Sequence, residues 1–248
     1  MQQQVLLLVT LVGETLLKSG AETHRVEETI IRIGNAYNFN KIEVFALPTG
    51  IFISLEDQSG ESLTKITRIK HQLIDLKKVS LVNDLSRRIV AKKITLEEAL
   101  LEMNDIKSGK DSYAKITSYL AAGIGGMTFT YFTFGSGWEL LGVFWGAFLL
   151  EMWLENNKIN KFISQIISGF IASFFGVGLS LLWPSLDKNA IILGIVIILV
   201  PGLAITNAAR DLIAGDSLAG IIRGINALLT ALGIALGVAA VLGLRSLV

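Results

Sequence analysis

The chain has 248 residues, 52% of them hydrophobic, with a mean hydropathy of +0.58, which is too apolar for an ordinary soluble enzyme with about a quarter of its residues charged. Of its charged residues, 31 fall in residues 1–115 and 12 in 116–248, so two halves in two solvents are expected. The net charge of +1 speaks against a nucleic-acid partner, and the lack of cysteine excludes disulfides, a thiolate nucleophile and cysteine metal sites.

Residues 5–17, VLLLVTLVGETLL, resemble a signal-peptide core. The preceding MQQQ has no basic residue and Glu14 interrupts the run, so a buried or amphipathic helix is the better reading. Gly20 closes it, and Ser19-Gly20-Ala21-Glu22 fits a capping box for a second helix to about Tyr37. IEVFALPTGIFISL, punctuated by Pro48-Thr49-Gly50, predicts a hairpin, with a third strand over 62–70. From Asp75 the period turns helical, with Leu76, Val79, Val82, Leu85 and Ile89 on one stripe; Thr95 and Glu98 form a capping box for a further helix. Residues 1–112 are thus expected to form a small α+β domain, joined through SGKDS to a membrane domain over 113–248.

From Ile116 onward come five apolar stretches, 116–134, 138–154, 162–183, 190–206 and 221–244. At 1.5 Å rise per residue each is long enough to cross a hydrocarbon core about 30 Å thick, some with little margin. The fold class expected is an α-helical integral membrane protein with five transmembrane helices, preceded by a small cytoplasmic α+β domain. Lys107, Lys110, Lys115, Lys158, Lys161, Arg210 and Arg223 flank the spans on one side, against Lys188 and Arg245 on the other. The positive-inside rule then puts the N-terminal domain in the cytoplasm and the C-terminus outside. Small-xxx-small pairs such as Gly142/Gly146 and Gly233/Gly237 suit close helix contacts in lipid.

Candidate chemistry is sparse. His24, Glu27 and Glu28 stand at i, i+3 and i+4, able to share a helix face for a metal or a proton, or simply to be a solvated face beside Arg25. No P-loop, GxSxG or dinucleotide fingerprint occurs. In PGLAITNAARDLIAGDSLAGIIR, Pro201 and Gly202 interrupt the fourth stretch and free backbone carbonyls for a solute or ion. Below them Asn207, Arg210 and Asp211 share a face. There Arg210 could grip a carboxylate, Asn207 and Thr206 could supply neutral hydrogen bonds, and Asp211, Asp216 or the intramembrane Glu151 could carry a coupling proton. Structural roles fit the same residues: Pro201 as a kink, Asp216 as an N-cap, Arg210 and Arg223 as interfacial anchors.

HRVEETIIRIGNAYNFNKIEVFALPTGIFISL, followed by apolar spans and PGLAITNAARDLIAGDSLAGIIRGINA, resembles the threonine/serine exporter family over almost the whole chain. The resemblance implies a bacterial inner-membrane exporter of small amino acids, or of succinate in split forms that work with a smaller four-span subunit. It places Pro201, Gly202, Asn207, Arg210, Asp211, Gly215, Asp216, Gly220 and Arg223 in a recurring membrane motif. The expected function is therefore a subunit of a proton-motive-force-driven exporter of a small carboxylate-bearing metabolite. Its expected partners are the bilayer and a four-span homologue or a second copy, with no cofactor, no metal and no enzymatic activity. A membrane-tethered hydrolase with His24 as base, or a regulatory subunit, is the alternative.

Overall fold

The computed structural model describes residues 1–70, 72–109, 114–156 and 159–246. His71, Lys110 with the rest of the expected linker through 112, and Lys158 lie outside the described residues, as does the side chain of Arg245. In chain order the elements are α1 (Gln2–Lys18), α2 (Thr23–Ala36), β1 (Lys41–Leu47), β2 (Gly50–Glu56), β3 (Ser62–Arg68), α3 (Leu76–Val90), α4 (Leu96–Ser108), α5 (Lys115–Phe134), α6 (Glu139–Asn156), α7 (Lys161–Leu182), α8 (Lys188–Val196) with a 3₁₀ turn over Ile197–Leu199, α9 (Gly202–Ile213) and α10 (Ser217–Ser246). They divide into two compact units, Met1–Ser112 with Leu203–Gly224, and Tyr113–Gly202 with Ile225–Val248.

In the first unit the run Val5 to Leu17 is apolar nearly all round, and a helix of that kind must be enclosed. Helix α1 accordingly forms the centre of the core, with Val5, Leu8, Val9, Val12 and Leu16 buried among Val26, Ile30 and Ile33 of α2, Ile51, Ile53 and Leu55 of β2, Val82 and Leu85 of α3 and Met103 of α4. Gly13 permits this convergence: a Cβ there would stand 2.7 Å from Ile51 Cδ1 and 2.8 Å from Ile30 Cδ1. The three strands form an antiparallel meander in the order β1-β2-β3, turning at Pro48-Thr49 as the sequence predicts. Alternation along β2 sends Ile51, Ile53 and Leu55 into the core. The predicted Thr95–Glu98 capping box forms in full. The box expected at Ser19–Glu22 does not: α2 starts at Thr23 with Glu22 as N-cap and no side-chain cap bond, because the Glu22 carboxylate is turned to other partners.

The second unit is helical. Val143 and Leu150 of α6, Ala172 of α7, Ile191 and Ile195 of α8, and Ile234 of α10 make its core. Helices α7 and α10 approach at backbone distance, since a Cβ on Gly169 would fall on the Ile234 carbonyl and one on Gly237 on the Ile166 carbonyl. This is the use expected of small residues in lipid-facing bundles.

Both parts of the predicted fold class need correction. Among the described residues two helical segments, Lys161–Leu182 and Ser217–Leu244, are long and apolar enough to cross a membrane; a third crossing arises only if the broken pair Lys188–Leu199 and Gly202–Ile213 acts as one span. Five spans are therefore not present by this measure. Helix α5 has the length but dilutes its apolar residues with glycine, threonine, serine and tyrosine. Helix α6 carries three glutamates, Glu139, Glu151 and Glu155, within 18 residues. The 190–206 stretch is broken at Val200-Pro201 into two helices, because proline lacks the donor and clashes with the preceding turn. Nor does the α+β part form a separate preceding domain, since Leu203–Gly224 belongs to its compact unit.

Candidate functional site

Within the first unit the turn from α1 to α2, residues 20–24, meets the segment from α9 into α10. Helix α9 ends in a Schellman motif. Gly215 adopts φ +94°, its N–H donates to Leu212 O at 3.2 Å, and the Asp216 N–H donates to Asp211 O at 2.8 Å. Such a cap folds the residue after the glycine back over the last helical turn, where an apolar contact is usual. Here that pair is two carboxylates, Asp211 and Asp216.

Asp211 is wholly buried. Its Oδ1 accepts from the Thr23 backbone N–H at 3.0 Å and its Oδ2 from the Thr23 hydroxyl at 3.2 Å, while Arg223 Nε stands 2.9 Å from Oδ2. Asp211 thus supplies from a distant segment the N-terminal anion that α2 lacks locally, aided by the helix dipole. Arg223, also buried, donates Nη2 to Ala21 O at 2.7 Å and to Thr23 Oγ1 at 3.3 Å. Asn207 donates Nδ2 to Gly20 O at 2.9 Å. Arg210 pairs with Glu22, which also holds Arg25 Nε at 2.9 Å and lies 3.5 Å from His24 Nε2.

Burial opposes ionisation of Glu22, but the Arg210 hydrogen bond and the charges of Arg25, Arg210 and His24 outweigh it and hold the carboxyl below the usual range. Glu27 is driven the other way. Burial raises its pKa, the Ala46 N–H donated at 2.7 Å partly offsets this, and the nearby charges of Asp216 and Asp211 raise it further.

Beside this network Arg25, Arg210, Asn207, Asn83 and Glu22 share a cavity of about 140 Å³ with the apolar side chains of α1 and α3. Of the residues singled out by sequence, His24, Arg25, Glu27, Asn207, Arg210, Asp211 and Asp216 belong to the first unit and surround this network. Glu28 is exposed and pairs with Arg32; Thr206 is exposed on α9. Pro201 and Gly202 mark the helix break, and Glu151 sits on α6 in the second unit, where Ser118 Oγ donates to it at 3.4 Å. Sequence reasoning missed Glu22, Thr23 and the buried role of Arg223. Glu22 and Thr23 lie about 190 positions from their partners, so no local spacing reveals them; the one available signal was a pair of opposite charges, Asp211 and Arg223, bracketing a glycine-capped turn.

A family model described as "Putative threonine/serine exporter" matches residues 7–245. The "Pheromone-regulated membrane protein 10" of Kluyveromyces lactis is 25% identical over 91% of this chain, but the match covers 24% of that protein; the namesake from Pichia sorbitophila is 23% identical over 93% of this chain and 24% of its own length. The chain thus spans about a quarter of these fungal relatives. The "Probable succinate transporter subunit YjjP" of Klebsiella aerogenes is 26% identical, with 90% of this chain and 87% of that protein covered. No solved structure matches.

Proposed function

The chain belongs to the threonine/serine exporter family, and from that premise we propose that it is a subunit of a secondary exporter of a small carboxylate-bearing metabolite. The observation that carries the reading is the cavity of about 140 Å³ flanked by Arg25, Arg210 and Asn207. Two guanidiniums and a neutral amide suit a carboxylate with one further polar group, and the volume suits a small metabolite rather than a drug-sized ligand. Arg210 is engaged with Glu22 in the absence of cargo. An incoming carboxylate competes for it, and Glu22, once released, ionises less readily and takes up a proton.

That exchange links cargo to a proton gradient. Asp211, Asp216 and Glu151 are further proton-carrying candidates, and Thr206 with the Pro201–Gly202 break extends the cargo path. Threonine, serine and succinate all satisfy the carboxylate requirement; the word "subunit" in the Klebsiella name supports a partner chain, which this reading takes to be a smaller homologous membrane protein. The reading places the protein in a bacterial inner membrane with residues 1–112 facing the cytoplasm.

Efflux of preloaded labelled threonine and succinate, from cells making this chain with and without such a partner, tests the reading. Losing one charge-assisted bond, about 1.5–3 kcal/mol, predicts at least roughly tenfold slower export for Arg210→Gln with membrane insertion intact. Unaltered efflux would remove Arg210 and its cavity from the cargo path.

A further inference from the structure

Among the described residues, His24, Asp211 and Asp216 each offer a ligand atom, and those atoms all lie within 4.8 Å of one another. Two of these residues carry a buried side-chain atom without a hydrogen-bond partner, His24 Nδ1 and Asp216 Oδ2. Buried polar atoms are nearly always paired, so two orphans in one cluster call for an explanation. We propose that His24, Asp211 and Asp216 form a binding site for a divalent transition-metal ion of the zinc or manganese class, with His24 bound through Nδ1.

The surroundings fit a metal in four ways. First, His24 Nε2 faces Glu22 Oε2 at 3.5 Å; metal-bound imidazoles characteristically turn their other nitrogen to a carboxylate, which leaves the lone pair on the ligating atom. Second, Asp211 is fixed by the Thr23 N–H and hydroxyl, which use two of the roughly four lone-pair positions on its carboxylate, and by the charge of Arg223 2.9 Å from Oδ2, which leaves lone pairs for an ion. Third, four carboxylates, Glu22, Glu27, Asp211 and Asp216, gather around the three guanidiniums of Arg25, Arg210 and Arg223; the carboxylates are in excess, and a cation beside the two aspartates offsets that excess. Fourth, one imidazole with two carboxylates is a borderline-hard donor set of the kind zinc and manganese accept.

Ligands about 2.0–2.2 Å from zinc in tetrahedral array stand roughly 3.4 Å apart, so closure on the ion requires atoms now within 4.8 Å of one another to contract by no more than about 1.4 Å. Three protein ligands leave a coordination position open for water or a carboxylate. The Schellman motif is what makes the site possible, because it stacks Asp216 on Asp211 opposite the first turn of α2.

The test is calorimetric titration of Zn²⁺ into the tag-free full chain in detergent. One equivalent should bind, and His24→Gln and Asp216→Asn, each retaining the parent helical circular dichroism, should weaken binding at least tenfold, since even outer partners of metal ligands cost 10–100-fold. Glu28→Gln, altering an exposed carboxylate on the same helix, should leave the affinity unchanged. X-ray absorption of the zinc-loaded parent should show one imidazole among light donor atoms. Lack of saturable binding, equal affinity in both ligand variants, or a zinc spectrum without imidazole would overturn the site.

Discussion

Replacing Arg223 by methionine keeps most of the apolar stem and removes the charge that faces Asp211. The side chains of this pair are 7% and 0% exposed, so water cannot take over the role of the guanidinium. Asp211 would be left with the Thr23 N–H and hydroxyl alone, and the Ala21 carbonyl would lose its donor. Breaking a buried pair by removing one partner costs about 3–5 kcal/mol, because the other charge stays desolvated. The control is Arg32→Met, which breaks the ion pair with Glu28 between side chains 63% and 54% exposed, where the expected cost is about 0–1 kcal/mol. Chemical denaturation of the detergent-solubilised chain, followed by circular dichroism, measures both. Adding Asp211→Asn to Arg223→Met should recover part of the loss, since the amide carries no charge to strand. If Arg223→Met costs no more than Arg32→Met, the buried pair does not hold the α1–α2 turn to the α9–α10 turn, and the account of the network fails.

Gly215→Ala meets no steric obstacle, as nothing lies within 4 Å of its missing Cβ, but φ +94° is strained for an L side chain; a loss of about 1–2 kcal/mol is expected in the same denaturation assay. Gly237→Leu would drive a side chain into the Ile166 carbonyl and the Phe170 backbone. The α7–α10 contact should then open, read as faster hydrogen exchange over residues 161–182. Glu27 has a raised folded pKa, so its protonated form is favoured on folding, and stability should fall as pH rises from its ordinary value of 4.5 through the raised one. Glu27→Gln should flatten that slope and stabilise the protein at neutral pH, as judged by thermal unfolding across the range.

What could be read from sequence was local. Pro48-Thr49-Gly50 between β-branched runs dictates its own turn, and Thr95 with Glu98, three residues apart, cap the helix that they begin. The break at Pro201 was equally legible, because proline acts on its own preceding turn. The count of spans failed where hydropathy was marginal, at the threonines and glycines of α5 and the glutamates of α6. The candidate site was half legible. Asn207, Arg210 and Asp211 announce a polar helix face, yet Glu22 in the stretch Ser19–Glu22 resembles a local cap, and only the folded chain shows it serving Arg210 instead. Pairings across some 190 residues leave no periodicity to detect.

The discontinuity of the first unit bears on the order of synthesis. Residues Met1–Ser112 leave the ribosome first, but Leu203–Gly224, which completes them, follows only after the 90 residues Tyr113–Gly202. At about 5–20 residues per second that interval is roughly 5–20 s. During it the nascent α1–α2 turn has neither its anion nor its guanidinium, so this turn is the last corner of the unit to close.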